Sequence, residues 1–336
     1  METKIFNAKE IDKAAELIKI GELVAFPTET VYGLGADALN PKAVLAIFRA
    51  KGRPADNPLI VHVKEAKDVE KIAYTHDKFY LLAKHFWPGP LTMVLPRKPI
   101  VPDVTTGGLT TVAVRSPQNK IALDLIEQSQ TPIAAPSANR SGRPSPTEAK
   151  HVLEDLSGQI AGVIDGGHTG IGLESTVLDL SGEIPEILRP GGVTLEMLQK
   201  VLPQTRQAVI KPGTKVKSPG LKYRHYAPKA PLYLVIGDVE AQVREILKII
   251  AEKGPLVGVL TTDENIDLFP VEHKISLGSR DNLEEIAANL YGALRYFDKT
   301  DVDIILAETI SGNGLAVAIN DRILRAAGGQ RIFAGK

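Results

Sequence analysis

The amino-acid sequence predicts an α/β fold in both halves of the chain. Short apolar runs, long enough only for strands, alternate with longer segments whose apolar residues recur at helical spacing. A proline-rich stretch, 203–230, separates a longer N-terminal part from a shorter C-terminal part. We therefore expect two domains, residues 1–202 and 231–336, joined by a linker.

The N-terminal part begins with predicted helices. Asn7 is suited to cap the first helix, because Glu10 follows three residues later and an apolar face begins at Ile11. A second helix is expected to open at Asn40-Pro41 and to end near Gly52. Ser145-Pro146-Thr147-Glu148 has the form of a capping box, so Ser145 is predicted to cap a further helix. Strands are predicted at the intervening apolar runs, 23–26, 59–63, 91–95, 111–115, 133–135, 163–164, 176–180 and 187–188.

The C-terminal part repeats the alternation on a smaller scale. Strands are predicted at 232–236, 256–260 and 304–306, and helices at 239–250, 282–297 and 315–326. Strands that alternate with helices in this way favour a small parallel, Rossmann-like sheet.

Composition excludes several functional classes. The 336 residues are 43% hydrophobic and 24% charged, as in globular proteins, and 40 Lys and Arg balance 40 Asp and Glu. The neutral net charge gives no strong attraction to nucleic acid, so we expect no stable nucleic-acid binding. Without cysteine the chain has no disulfides, thiolate catalysis or cysteine zinc sites. The charged N-terminus and the absence of a long apolar run predict a cytoplasmic protein with no membrane partner.

Two segments carry residues suited to phosphate chemistry. AIFRAKGRPADNPLIVHV places Lys51 and Arg53 just after an apolar run, and TPIAAPSANRSGRPSP places Ser137 and Asn139 on a proline-flanked turn. Cations with neutral donors, and no dedicated acid or base, suit phosphoryl or nucleotidyl transfer, which depends on positioning and charge stabilisation.

Simpler interpretations of these residues stay open. Lys51 and Arg53 fit helix C-terminal cations, and Ser137 and Asn139 fit a turn. A lone histidine in an apolar strand, as at His62, is more often structural. No GxxxxGK[ST] loop is present, and the GLGADA run at 33–38 lacks the strand and helix context of a dinucleotide site, so we interpret its glycines as turn residues.

Six motifs, in order, resemble one family. They are PTETVYGLG at 27–35, KGR at 51–53, PSAN at 136–139, ESTV at 174–177, LRPGG at 188–192 and SPGLKYRHYAP at 218–228. They are similar to threonylcarbamoyl-adenylate synthases of the YrdC-like superfamily, in the long two-domain form. The resemblance implies an N-terminal twisted mixed sheet with a concave open face, followed by the smaller α/β domain.

The resemblance also implies a reaction. L-threonine, bicarbonate and ATP would give threonylcarbamoyl-AMP and pyrophosphate, with Mg²⁺ held by waters and phosphates and no metal site on the protein. A downstream tRNA threonylcarbamoyl transferase complex would use the product to modify the adenosine next to the anticodon. The basic linker 203–230, with Tyr223, His225 and Tyr226, is expected to act as a lid.

The resemblance assigns residues to both substrates. The catalytic positions are Lys51, Arg53, Ser137 and Asn139. The positions implied for ATP are Lys51, Arg53, Asn57, Thr111, Ser137, Asn139, Ser145, Arg189 and Tyr226. The positions implied for L-threonine are Thr30, His62, Arg115 and Ser175. Arg115 ends a predicted strand and is suited to bind a carboxylate with two parallel hydrogen bonds.

Three other functions compete with this one. An RNA-binding module with a concave basic cleft is disfavoured by neutral charge and an aromatic content of only 5%. A nicotinamide oxidoreductase using the C-terminal part lacks a full GxGxxG there. The hydrogenase-maturation carbamoyltransferase has a related domain, but it relies on cysteine-rich zinc modules that a cysteine-free chain cannot form.

Overall fold

The computed structural model describes residues 2–209 and 225–335, which form two compact units. The first unit comprises Met1–Ser141, Ser145–Gly170 and Glu174–Lys222, and the second comprises Gly142–Pro144, Ile171–Leu173 and Tyr223–Lys336. Residues 210–224, with most of the predicted linker and Tyr223, lie outside the described residues.

A mixed sheet forms the centre of the first unit. Its described strands are β1 (Lys4–Phe6), β2 (Val24–Phe26), β3 (Gly33–Asp37), β4 (Ile60–His62), β5 (Leu91–Pro96), β6 (Thr111–Arg115), β7 (Ile133–Ala134), β8 (Gly162–Ile164), β9 (Thr176–Asp179), β10 (Glu186–Arg189) and β11 (Arg206–Gln207). Their order across the sheet is β1-β8-β2-β3-β7-β4-β6-β5-β9-β10-β11. β6 is parallel to β4 and antiparallel to β5, which confirms the predicted mixed sheet.

Helices cover the two faces of this sheet. They are α1 (Ile11–Lys19), α2 (Pro41–Lys51), α3 (Asp77–Phe86), α4 (Asp103–Thr106), α5 (Lys120–Ser129), α6 (Ala149–Leu156) and α7 (Leu195–Val201). Because side chains alternate along a strand, Val24 and Phe26 of β2 pack with α1 and α5, whereas Ala25 belongs to the core that includes α2, α3 and α6. Both faces of the central strands are therefore buried.

The capping predictions succeed for α2 and fail for two other helices. The Asn40 side chain accepts hydrogen bonds from the amides of Lys42 and Ala43, and Gly52 ends α2 in the left-handed conformation. In contrast, α1 begins only at Ile11, with Glu10 at its N-cap. The Lys9 amide donates to Asn7 Oδ1 at 2.9 Å and the Asn7 amide donates to the Glu10 carboxylate at 3.3 Å, but these capping-box bonds form in a turn before the helix. Ser145 is not a cap, because its hydroxyl donates instead to a carboxylate distant in sequence, and α6 begins at Ala149.

The glycines of the GLGADA run are strand residues, so the prediction of a turn is wrong. Gly33 and Gly35 lie in β3, which pairs antiparallel with β2 and β7. A Cβ at Gly35 would lie 2.8 Å from Phe26 Cε1 and 2.9 Å from Ile133 Cγ2, closer than real Cβ contacts. Close packing against neighbouring strands, not turn geometry, therefore requires glycine here.

The second unit has the predicted small parallel sheet. Its strands are β12 (Leu232–Ile236), β13 (Val257–Thr261), β14 (Lys274–Ser276), β15 (Ile304–Glu308) and β16 (Arg331–Phe333), in the order β14-β13-β15-β12-β16. Every pairing between them is parallel. The helices are α8 (Val239–Lys253), α9 (Leu283–Phe297) and α10 (Leu315–Ala326). In the described part of the chain, no helix is both long enough and apolar enough to cross a bilayer.

Candidate nucleotide and amino-acid site

Backbone hydrogen bonds join the PTETVYGLG and PSAN segments in the first unit. The Leu34 amide donates to the Pro136 carbonyl at 2.8 Å, and the Ala138 amide donates to the Tyr32 carbonyl at 2.8 Å. A β-bridge between Gly33 and Ser137 completes the contact. The first residues of β3 therefore hold the PSAN turn in place.

Lys51 connects the end of α2 to the same turn. Only 3% of Lys51 is exposed, and its ammonium donates to the carbonyl oxygens of Ser137 and Asn139. The Ser141 amide donates back to the Lys51 carbonyl at 2.9 Å. Within the turn, Ser137 Oγ donates to Asn139 Oδ1 at 2.6 Å. The structure thus brings together three of the four residues predicted to be catalytic.

Arg53, the fourth, orders the loop that follows α2. Its Nη2 donates to the carbonyl oxygens of Asn57 at 3.3 Å and Pro58 at 3.1 Å, and its guanidinium lies 5.9 Å from the Phe48 ring centroid. Asn57 is buried, and its Nδ2 has no hydrogen-bond partner within residues 2–209 and 225–335. A buried amide without a protein acceptor is available to a ligand oxygen.

A second cluster forms around Arg115, the last residue of β6. Its Nη1 donates to Thr30 Oγ1 at 3.0 Å and its Nε to the Gly89 carbonyl at 3.3 Å. Its Nη2 lies 2.8 Å from Oε2 of Glu29, a side chain only 10% exposed. Glu29 was not predicted from the sequence, where the one weak signal is a single charged residue within the otherwise uncharged segment 27–35.

His62 adjoins Arg115 through the register of the sheet. The two residues are paired across parallel strands β4 and β6, and the His62 ring meets Phe26 edge-on with centroids 6.1 Å apart. Burial, reinforced by the nearby Arg115 charge, lowers the pKa of His62 to about 3. The imidazole is therefore neutral at physiological pH.

Ser175, immediately before β9, and Arg189, the last residue of β10, form a third group. Arg189 Nε and Nη2 donate to the Ser175 carbonyl at 3.1 and 2.9 Å, and the Ser175 hydroxyl lies 2.8 Å from that of Thr92. Loop 89–90 links this group to the cluster around Arg115. The amide of Thr176, next to Ser175, donates to the Pro90 carbonyl, and Arg115 Nε donates to the Gly89 carbonyl.

The remaining predicted residues lie in other surroundings. Thr111 is buried at the start of β6, opposite Pro96 of β5. The Ser145 hydroxyl donates to the buried Glu174 carboxylate at 2.5 Å. Tyr226 belongs to the second unit, where its ring packs 5.2 Å from that of Tyr291. The predicted contact of Tyr226 with a nucleotide stays a prediction.

The chemistry of these clusters defines a class of protein. Cations, hydroxyls and amides gather on the mixed sheet of the first unit, and within the described residues no group of three or more His, Asp or Glu could hold a metal ion. This is an α/β protein equipped to bind anionic ligands through fixed donors. The chain belongs to the Sua5/YciO/YrdC family, whose model, described as "Telomere recombination", matches residues 16–191.

A second model, described as "Threonylcarbamoyl-AMP synthase, C-terminal domain", matches residues 193–328. Among similar proteins, the threonylcarbamoyl-AMP synthase of Bacillus subtilis is 49% identical over 331 residues, with 97% of this chain and 95% of the relative covered. That of Pyrococcus abyssi is 51% identical over 344 residues, with 98% and 99% covered. The crystal structure of P. abyssi Sua5 complexed with L-threonine superposes with a TM-score of 0.93 at 48% identity, covering 99% of this chain and 100% of that one. The family resemblance of the sequence motifs is thus confirmed.

Proposed function

We propose that this protein is an L-threonylcarbamoyladenylate synthase that makes threonylcarbamoyl-AMP and pyrophosphate from L-threonine, bicarbonate and ATP. One observation carries the proposal: segment 27–35 joins an arginine clamp to the lysine-held PSAN turn. Thr30 accepts from Arg115, and a few residues further Tyr32 and Leu34 bond the turn that Lys51 contacts. An amino-acid site and a phosphate site are therefore held by one continuous segment.

The amino-acid end is suited to a carboxylate. A guanidinium has five N–H donors; Arg115 uses one on Nε and one on Nη1 in hydrogen bonds, and its Nη2 forms only an ion pair with Glu29. One N–H on Nη1 and one on Nη2 are left to bind the carboxylate of L-threonine bidentately. His62, which is neutral, and Ser175 complete this end of the proposed site. The similarity to a relative crystallised with L-threonine supports the assignment.

The nucleotide end is suited to phosphates. Lys51 and Arg53 would offset the charge that develops on the leaving pyrophosphate, and Ser137 and Asn139 would orient the phosphoryl oxygens. The other ATP contacts proposed are Asn57, Thr111, Ser145, Arg189 and Tyr226. The donors here are cations and neutral groups, so Mg²⁺ would enter as part of the MgATP substrate.

The proposed reaction has two steps and balances. The threonine amine takes up the carbon of bicarbonate, releasing water and forming a carbamate. A carbamate oxygen then attacks the α-phosphorus of ATP, and pyrophosphate leaves. The protein supplies no nucleophile of its own; it positions the carbamate in line with the phosphorus and stabilises the developing charge.

The two parts of the chain would divide the work. We propose that the domain at 1–202 performs the chemistry, because the cation and hydroxyl clusters lie in the first unit. A linker at 203–230 would connect it to the small domain at 231–336. The adenylate would pass to a tRNA threonylcarbamoyl transferase. The RNA-binding alternative is not favoured, since the similar full-length proteins bear an enzyme's name.

The function is tested by product analysis. The protein is incubated with L-threonine, bicarbonate and MgATP, and mass spectrometry should detect threonylcarbamoyl-AMP with AMP-forming turnover of ATP. Pyrophosphate release should stop when either threonine or bicarbonate is omitted. Equal pyrophosphate release when threonine is omitted would refute the proposal, and so would formation of ADP instead of AMP from ATP.

The amino-acid end is tested separately through Arg115. Replacing Arg115 by Ala should raise the KM for threonine roughly 10- to 100-fold and the KM for ATP far less, because a charge-assisted hydrogen bond contributes about 1.5–3 kcal/mol. Arg115→Lys keeps the charge but loses the bidentate geometry, so its KM for threonine should lie between those of wild type and Arg115→Ala. A defect confined to ATP would reassign Arg115 to the phosphates.

A further inference from the structure

Glu29 is a buried carboxylate that the protein leaves without hydrogen bonds. Neither Oε1 nor Oε2 has a hydrogen-bond donor among the described residues, and solvent does not reach either atom. The 2.8 Å approach of Arg115 Nη2 to Oε2 is an ion pair whose angle does not make a hydrogen bond. A buried carboxylate in this condition is destabilising, because its lost hydration is only partly replaced.

Another buried carboxylate shows what a structural role requires. Glu308, 2% exposed in the second unit, accepts hydrogen bonds from Thr261 at 2.8 Å, from Asn265 at 2.6 Å and from Arg280 at 3.2 Å. Three donors satisfy its two oxygens. Glu29 has one cation and no donor, so its surroundings match a ligand site better than a structural ion pair.

The charges around Glu29 define the ligand that fits. Within this cluster Glu29 contributes a negative charge and Arg115 a positive one, and His62 is neutral because its pKa is lowered to about 3. A ligand with both an ammonium and a carboxylate would give each protein charge its own partner. A free α-amino acid has these two groups on one carbon, which suits two protein groups 2.8 Å apart.

We propose that Glu29 binds the α-ammonium group of the amino-acid substrate and so restricts the site to free α-amino acids. The proposal rests on the proposed function, which supplies the amino acid. In the free protein Glu29 pairs with Arg115. When threonine binds, its carboxylate takes the outer N–H groups of Arg115 and its ammonium donates to Glu29 Oε1. Ligands without the ammonium leave that oxygen unsatisfied.

Two ligands separate this role from simple support of Arg115. L-threonine and 3-hydroxybutyrate of matching C3 configuration share the carboxylate, hydroxyl and methyl groups, and only threonine has the ammonium. Calorimetric titration of the full chain should show wild type binding threonine at least about tenfold more tightly. Glu29→Gln should weaken the binding of threonine at least about tenfold and should weaken the binding of 3-hydroxybutyrate by no more than about twofold. Glu65→Gln, at an exposed position in the first unit, should change neither.

Each contrary result identifies what failed. Equal weakening of both ligands by Glu29→Gln would show that Glu29 only orients Arg115. Tightening of both would show that it only competes for Arg115. If the variant does not fold, the wild-type comparison still decides, because equal affinity for the two ligands would overturn the proposal. Wild type that binds no threonine would overturn the proposed function as well, and that failure appears before any variant is made.

Discussion

Protonation of His62 should make the protein sensitive to mild acid. The ring is 4% exposed, and burial with the Arg115 charge lowers its pKa to about 3, against about 6.5 in an unfolded chain. Between these pH values the unfolded state binds a proton that the folded state does not. The contribution of neutral, buried His62 to the free energy of unfolding is therefore intact above pH 6.5 and is lost progressively as the pH falls toward 3.

The size of the effect follows from the two pKa values. Each pH unit in the window is worth about 1.4 kcal/mol, so His62 should lower the free energy of unfolding by about 2 kcal/mol between pH 7.5 and pH 5. Urea unfolding at both pH values measures this for wild type and for His62→Asn, which keeps a polar acceptor but does not titrate. The acid-induced loss should be about 2 kcal/mol smaller in the variant. His85→Asn, at an exposed position, should behave as wild type.

One result would refute this reasoning. If wild type and His62→Asn lose the same free energy between pH 7.5 and pH 5, the His62 pKa is not lowered in the folded protein. The ring would then have to gain a favourable partner when protonated, which contradicts its position beside Arg115.

Two further predictions concern the phosphate end and the strand packing. Lys51→Ala and Arg53→Ala should each lower turnover on the order of 10²-fold, as with loss of one preorganised oxyanion donor. Lys51→Ala should also lower the free energy of unfolding by about 1–3 kcal/mol, because two carbonyls of the PSAN turn lose a buried donor. Arg49→Ala, at an exposed position in the same helix, is the control. Normal turnover in the Lys51 variant would place the phosphate site elsewhere. Gly35→Ala should be less stable by about 1–3 kcal/mol in urea unfolding, since its Cβ would meet two packed side chains. Gly182→Ala has open space, and equal stability of the two variants would contradict the packing argument.

Local signals in the sequence were sufficient where an element depends on its own residues. Asn40 and Gly52 bound α2 as predicted, because a cap and a left-handed stop act within one turn of the helix. The strand at 111–115 was predicted at its observed bounds, and the parallel sheet of the second unit followed from regular alternation.

The failures occur where a distant residue decides the outcome. Ser145 looks like a cap, but Glu174 takes its hydroxyl. Gly35 looks like a turn residue, but the rings and methyl groups of neighbouring strands require its small size. Glu29 gives almost no signal, because its environment depends on Arg115, far along the chain. Sequence motifs can therefore indicate which residues form a site before they indicate what each residue contacts.

The difference between local sequence signals and distant contacts also changes the expected contribution of Lys51 to the stability of the protein. As a helix C-terminal cation it would contribute only about 0.3–1 kcal/mol, and its removal would leave the fold intact. The structure instead buries it and gives it two backbone carbonyls of the PSAN turn as acceptors. Because the Lys51 ammonium is fixed by the PSAN turn and orders it in return, a phosphate bound there would meet donors already in position. The structural role of Lys51 and its proposed role in binding phosphate therefore involve the same contacts, so a turnover assay of a Lys51 variant must be accompanied by a stability measurement.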